Sequence, residues 1–187
     1  MTEVLAPNVV NGIDLHALDD VVAAIQTDPS QALVRFSVST DWNGQTRSRT
    51  RVRGFEIAGQ HVPRDFEIAA DEPLELLGTN AAPNPQELLM AAVNACMTVG
   101  YVAGASLHGV RLSKLEIETT GQLDLRGFLG LDDAVPPGYE HVDYTVRIAG
   151  DGTPEQFEAI HQAVMKTSPN YFNLARPIRM NGTLEVA

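Results

Sequence analysis

One thiol, one row of guanidiniums and one serine–proline step carry most of the chemistry that this sequence offers. Cys96 is the only cysteine in 187 residues, so an intrachain disulfide framework is excluded. It sits near the middle of the longest apolar run, Asn84–His108 (NPQELLMAAVNACMTVGYVAGASLH). A thiolate is a nucleophile and a target of oxidation, but free cysteine is also among the most buried residue types. Cys96 therefore reads either as inert core or as a redox group. Arg47, Arg49, Arg51 and Arg53 alternate in TRSRTRVR, which places them on one face of an extended strand. They read as a solvated sheet face, or one of them supplies a planar bidentate donor to an anion or a thiolate. Glu87 falls in the first turn of the helix predicted for the apolar run, where the dipole favours a carboxylate. Ser168, ahead of Pro169, reads as a helix N-cap or as a pocket-lining hydroxyl. The five histidines (His16, His61, His108, His141, His161) have no metal-ligand spacing, so no metal is expected. There is no phosphate loop or dinucleotide fingerprint, and no cofactor is expected. No nucleophile-elbow motif supports a Ser-His-Asp arrangement.

The elements that position these residues follow from periodicity and caps. Asn84 can cap a helix, Pro85 suits its first position, and Gly109 suits its end. Between them apolar residues fall on nearly every face, which predicts a buried helix at the centre of the fold. At roughly 24 residues the run is also long enough to span a bilayer, which takes about 20. Glu87, Asn94 and the Gly/Ala content favour the core helix.

Upstream, Met1–Gly12 has no periodicity and reads as an arm. Asp14–Gln26 is predicted as a short amphipathic helix capped by Asp14. Ala32–Trp42 alternates as a strand, Asn43-Gly44 marks a hairpin turn, and Gln45–Ile57 returns. Gly59–Arg64 reads as a turn and Asp65–Ala70 as a third short strand. Downstream, Arg111–Gly121 and Val142–Ile148 are predicted strands. Between them Asp124–His141 is a long Gly/Pro-rich loop carrying Phe128, Leu129 and Leu131, suited to a lid or to covering a neighbouring subunit. Thr153-Pro154 opens a second amphipathic helix, Ser168-Pro169 a short one, and Ile178–Val186 reads as a final strand. Strands segregated from two main helices make an α+β domain. The expected division is an arm and helix over 1–31 and a single globular unit over 32–187.

A net charge of −11 disfavours nucleic acid and anionic membrane surfaces as partners. Met1–Asn8 has neither a basic nor an apolar leader region, so a cytoplasmic, reducing location is expected.

Pro85–Cys96 (PQELLMAAVNAC) together with Ser168-Pro169 resembles the OsmC/Ohr family of thiol-dependent hydroperoxide reductases. The family motif places a cysteine on a buried helix that starts at a proline, and a Cys-Pro step far downstream at the start of a short helix. Asp71–Pro85 and Asp124–Asp132 are similar to a bacterial subgroup. The resemblance runs roughly from Val34 to Val186. It implies an intertwined homodimer in which antiparallel sheets wrap two long core helices, with active sites at the subunit interface. It implies that Cys96 is the peroxidatic nucleophile and that an Arg–Glu pair poises its thiolate. Arg47 lies nearest the family arginine's position, with Arg49 close behind.

Two departures qualify this. Ser168 stands where the resolving cysteine is expected, so an oxidised Cys96 requires an external thiol reductant. The motif glutamate falls on Gln86, with Glu87 beside it, and one residue of helix rotates a side chain by about 100°. The expected activity is one-cysteine reduction of apolar organic hydroperoxides. The alternative is a relative without peroxidase chemistry that binds an apolar small molecule in the interface pocket, where Ser168 and Gln86 would touch the ligand.

Overall fold

A computed structural model describes residues 8–186. It is α+β, and its residues group into two compact units that meet in sequence at Ala91/Ala92. The first seven residues of the predicted arm lie outside the described range.

In the first unit, β1 (Val9–Val10) pairs with β2 (Ile13–Asp14) across a turn in which Asn11 and Gly12 both take positive φ. Part of the predicted arm is thus a small hairpin. Helix α1 (Leu15–Thr27) follows, with the Asp14 carboxylate accepting from His16 N–H as expected. A single 3-10 turn, Pro29–Ala32, leads to the sheet.

The predicted strand Ala32–Trp42 is broken into β3 (Val34–Phe36) and β4 (Ser39–Trp42). Both pieces pair antiparallel with the same edge of β5 (Ser48–Ile57), and β6 (Gln60–Ala70) occupies the other edge. The pairing slips by one residue between Phe36↔Phe55 and Ser39↔Arg51, and this slip accounts for the break. The Asn43-Gly44 hairpin is present, but it is wider than a two-residue turn. Asn43 N–H donates to Arg47 O at 2.8 Å, and Gln45 joins Gly44 at positive φ, so β5 starts at Ser48 rather than Gln45.

The β5–β6 connection is tighter than the sequence suggests. Ala58 and Gly59, both at positive φ, make the turn alone, and β6 begins at Gln60 instead of Asp65. Pro63 concealed this extension. It is tolerated because β6 is an edge strand and Pro63 sits opposite Gly54 beside a register shift.

Residues paired across the ladder share a face. Val52, Phe66 and Ile68 lie on one face, opposite Asp41, Arg49, Arg51 and Glu67; across the register shift the Arg64 guanidinium, over the rings of both Phe55 and Phe66, joins Phe36, Phe55 and Val62 to the same apolar face. Phe36 stacks on Phe55 with ring centroids 5.6 Å apart. Within the first unit this apolar face is largely open, with Phe36 73% exposed.

Asp71 anchors the loop that leads to the core helix. Its buried carboxylate accepts from the Thr46 hydroxyl (2.6 Å), from the hydroxyl and N–H of Thr79, and from the N–H groups of Glu72 and Ala81. Donation from Thr46 and then Thr79 holds the Asp71 carboxyl well below the usual carboxylate range, against the opposing effect of burial. Because the folded-state value is lowered, the stabilisation is fully present above the unfolded-state value near about 4 and is lost only as pH falls through the lower folded value. Asp71→Asn is therefore expected to lower the thermal midpoint by several degrees at pH 7. The gap to wild type should hold down to about pH 4 and shrink below it, as read by calorimetry across that range.

Helix α2 (Pro85–Leu107) starts in the first unit and continues in the second. The second unit adds β7 (Leu112–Gly121), a four-residue α3 (Leu125–Phe128), β8 (Val142–Gly150), α4 (Pro154–Thr167) and α5 (Pro169–Ala175). Strands β7 and β8 form an antiparallel ribbon. Thr153 and Gln156 complete a reciprocal capping box at α4.

The core is Val93, Met97, Tyr101 and Ala105 of α2 against Val110, Ile160 and Val164, with Leu115, Ile117, Val146 and Ile148 closing one side. Gly100 and Gly104 let α4 approach closely, since a Cβ at either would sit 3.1 Å from Val164 or Ile160 respectively.

Two expectations fail here. Helix α2 buries one stripe rather than all faces, and Val99 is 69% exposed on another side. A uniformly apolar run fixes no orientation, because it says nothing of what covers each face. Ile178–Val186 forms no strand among the described residues. A strand exists only with a ladder partner, and this stretch has none.

Candidate functional site

Cys96 and Ser168 meet inside the second unit. The Ser168 hydroxyl donates to Cys96 Sγ at 3.3 Å, across 72 residues of sequence. Ser168 is only 4% exposed, and Cys96 is half-buried. Their meeting follows from local structure. Cys96 is one residue before Met97 in the buried stripe of α2, so it borders the core instead of facing away from it. Ser168 is at once the last residue of α4's C-terminal turn, its N–H bonded to Val164 O, and the N-cap of α5, accepting from Tyr171 N–H at 3.4 Å. A hydroxyl fixed at such a junction has little rotational freedom. An O–H donor aimed at sulfur is placed to hydrogen-bond the sulfur or an oxygen bound to it.

Two asparagines hold this arrangement. Asn170 donates its amide to Ala92 O at 2.9 Å and pins α5 to α2. Asn94 donates to Ile117 O at 3.2 Å and accepts from the Thr119 hydroxyl at 2.5 Å, fixing α2 on β7. Neither is among the site residues expected from the sequence, where Asn94 counts only as a polar residue of the apolar run. The signal for Asn94 was available, since an amide within an apolar run needs buried partners.

The other candidates lie in the first unit. Glu87 is the reciprocal partner of Asn84 in a capping box: its carboxylate accepts from Asn84 N–H, and its own N–H donates to Asn84 Oδ1, both at 2.8 Å. Gln86 is half-buried beside it. Of the four arginines, Arg49 pairs with Glu67, Arg51 with Asp41 and Glu67, and Arg53 with Asp65. Arg47, outside the strand, has no ion-pair partner among the described residues; its Nε donates to Gly44 O at 3.4 Å. Arg47 and Glu87 form no ion pair within the unit. Among the described residues no group of three or more His, Cys, Asp or Glu is placed to hold a metal ion.

Comparison with known proteins agrees with this architecture. No curated protein sequence matches the chain significantly. Among solved structures, an OsmC-like protein from Mycoplasma pneumoniae is similar at 15% identity with a TM-score of 0.60, covering 75% of this chain and 87% of its own. An OsmC-like protein of unknown function from Vibrio cholerae matches at 15% identity and a TM-score of 0.52, over 73% and 91%. The family model described as OsmC-like protein matches residues 78–181, a span that holds both Cys96 and Ser168 and more than half of the sequence. The chain belongs to the OsmC-like protein family.

Proposed function

We propose that this protein reduces organic hydroperoxides with Cys96 as nucleophile and an external thiol as reductant. The observation that carries this reading is the Ser168 hydroxyl held 3.3 Å from Cys96 Sγ, at the position where the family motif has its second cysteine. In the first step the Cys96 thiolate attacks the distal oxygen of R–OOH. The O–O bond breaks, the alkoxide leaves and takes up a proton as alcohol, and the sulfur is oxidised by two electrons to the sulfenic acid. A thiol R′SH then condenses with the sulfenic acid, releasing water and leaving a mixed disulfide. A second R′SH attacks that disulfide, restores Cys96 and departs as R′SSR′.

Serine has no sulfur to close the disulfide, so the external thiol is required stoichiometrically. Ser168 instead donates to sulfur in the thiolate and to oxygen in the sulfenate. Arg47 takes the role that the family resemblance gives to an arginine, since Arg49, Arg51 and Arg53 pair with carboxylates of their own sheet. Glu87 organises the start of α2 through its cap, and Ser168 touches the substrate.

The working state in this reading is a homodimer in a reducing, cytoplasmic setting. The open apolar face of the first unit's sheet, the uncovered side of α2 and the unpaired apolar stretch Ile178–Val186 are surfaces that a second copy would bury. Cumene hydroperoxide should be consumed in the presence of a monothiol, with two thiols oxidised per peroxide. Consumption that ignores the thiol, or a monomer by analytical ultracentrifugation at micromolar concentration, would count against the corresponding part. If the thiol assay fails while a hydrophobic fluorophore binds saturably, the family scaffold is serving as an apolar-ligand carrier.

A further inference from the structure

A cavity lies in the second unit, between β8 and α4. It has a volume of about 630 Å³, within the range of small-molecule sites. Pro154, Phe157, Glu158 and His161 recur at helical spacing, so they present one face of α4 to it. Tyr144, Val146 and Ile148 alternate along β8 and present one face of the ribbon. Tyr101 closes the inner end, where its hydroxyl hydrogen-bonds His161 Nδ1.

The walls are aromatic and aliphatic, and the single charge is a carboxylate. No Lys or Arg lines the cavity, so an anionic ligand would find no counter-charge. Glu158 uses Oε1 to accept from the Gln162 amide at 2.8 Å, and Oε2 has no hydrogen-bond partner among the described residues. Burial pushes the Tyr101 phenol far above its ordinary range, so it stays protonated and can donate to Nδ1. In the tautomer in which Tyr101 donates to Nδ1, His161 presents an N–H at Nε2, which has no partner among the described residues and can donate to an acceptor on a ligand.

We propose that this cavity is a binding site for a small protonated amine with an aromatic body and a hydroxyl group, separate from the Cys96–Ser168 pair. The ammonium lies against Glu158 Oε2 and the ring faces of Phe157 and Tyr144, where a carboxylate and the negative face of aromatic rings both attract a cation. The body fills the space over Val146 and Ile148. The hydroxyl oxygen accepts from His161 Nε2–H.

The test uses three probes with one body and different charge: tyramine, 4-ethylphenol and 3-(4-hydroxyphenyl)propionate. Each is titrated into the full chain with amide chemical-shift mapping. Tyramine should bind saturably with Kd of about 1 mM or tighter, with shifts concentrated on Tyr144–Ile148 and Pro154–His161. The neutral phenol should bind about tenfold more weakly and the propionate more weakly still. Glu158→Gln should bring tyramine down to the phenol's affinity while Cys96→Ser leaves it unchanged. The proposal is overturned if no probe saturates, if the propionate binds as well as tyramine, if Glu158→Gln changes nothing, or if Cys96→Ser abolishes binding.

Discussion

The Cys96→Ser variant is expected to consume no organic hydroperoxide above the uncatalysed rate while remaining folded. Activity falls because an alkoxide is not available at neutral pH and a neutral serine hydroxyl does not attack the peroxide oxygen. The fold survives because the change is small and lies beside the core rather than within its fully buried stripe of Met97, Tyr101 and Ala105. The Ser168 hydroxyl also keeps an acceptor, since a serine oxygen replaces the sulfur it now faces. The measurement is peroxide consumption with a monothiol in excess, alongside a thermal midpoint to confirm folding. Residual thiol-dependent turnover in the folded variant would remove Cys96 from the mechanism.

The second large effect runs the other way. Ser168→Cys should form an intrachain disulfide with Cys96 when one equivalent of hydroperoxide is added, and turnover should then be supported by a dithiol or by a disulfide reductant. The Ser168 oxygen is already 3.3 Å from Cys96 Sγ, so a sulfur in its place needs only a modest approach to the S–S bond length of roughly 2.0 Å. The product would show a loss of about 2 Da by intact mass, in place of the gain of about 16 Da expected for a sulfenic acid. The crosslink closes a loop of 72 residues, for which chain entropy gives up to about 4 kcal/mol of stabilisation. For a chain of this length that corresponds to a rise in thermal midpoint on the order of 10 °C in the oxidised form. A variant that accumulates only over-oxidised Cys96 would mean that the two side chains cannot reach each other during turnover.

Where the sequence carries strong local signals, it anticipates the fold. Thr153-Pro154, Ser168-Pro169 and Asn84-Pro85 each pair a capping side chain with a proline, and each opens a helix where expected. The alternation in β7 and β8 likewise placed both strands of the ribbon.

The failures share a different cause. Strand β6 runs through the predicted turn Gly59–Arg64 because Pro63, which a central strand would not accept, sits at an edge position beside a register shift. Ile178–Val186 has the alternation of a strand but no partner to pair with among the described residues. The burial of α2 could not be read from an apolar run whose every face is similar.

The candidate site divides in the same way. Nothing in the spacing of Cys96 and Ser168 says that they touch. That expectation came from a family motif, and the 3.3 Å separation agrees with it. The arginine row was ambiguous in sequence, and only the ion pairs of Arg49, Arg51 and Arg53 distinguish Arg47 from its neighbours.

The most direct test of the proposed chemistry is the intact mass of the wild-type protein after brief exposure to one equivalent of cumene hydroperoxide, with and without a monothiol. The proposed mechanism predicts a gain of about 16 Da without thiol, located on Cys96 by peptide mapping, and a mixed-disulfide adduct when limiting thiol is added. Cys96 that stays reduced under peroxide, while still alkylated by iodoacetamide, would contradict it.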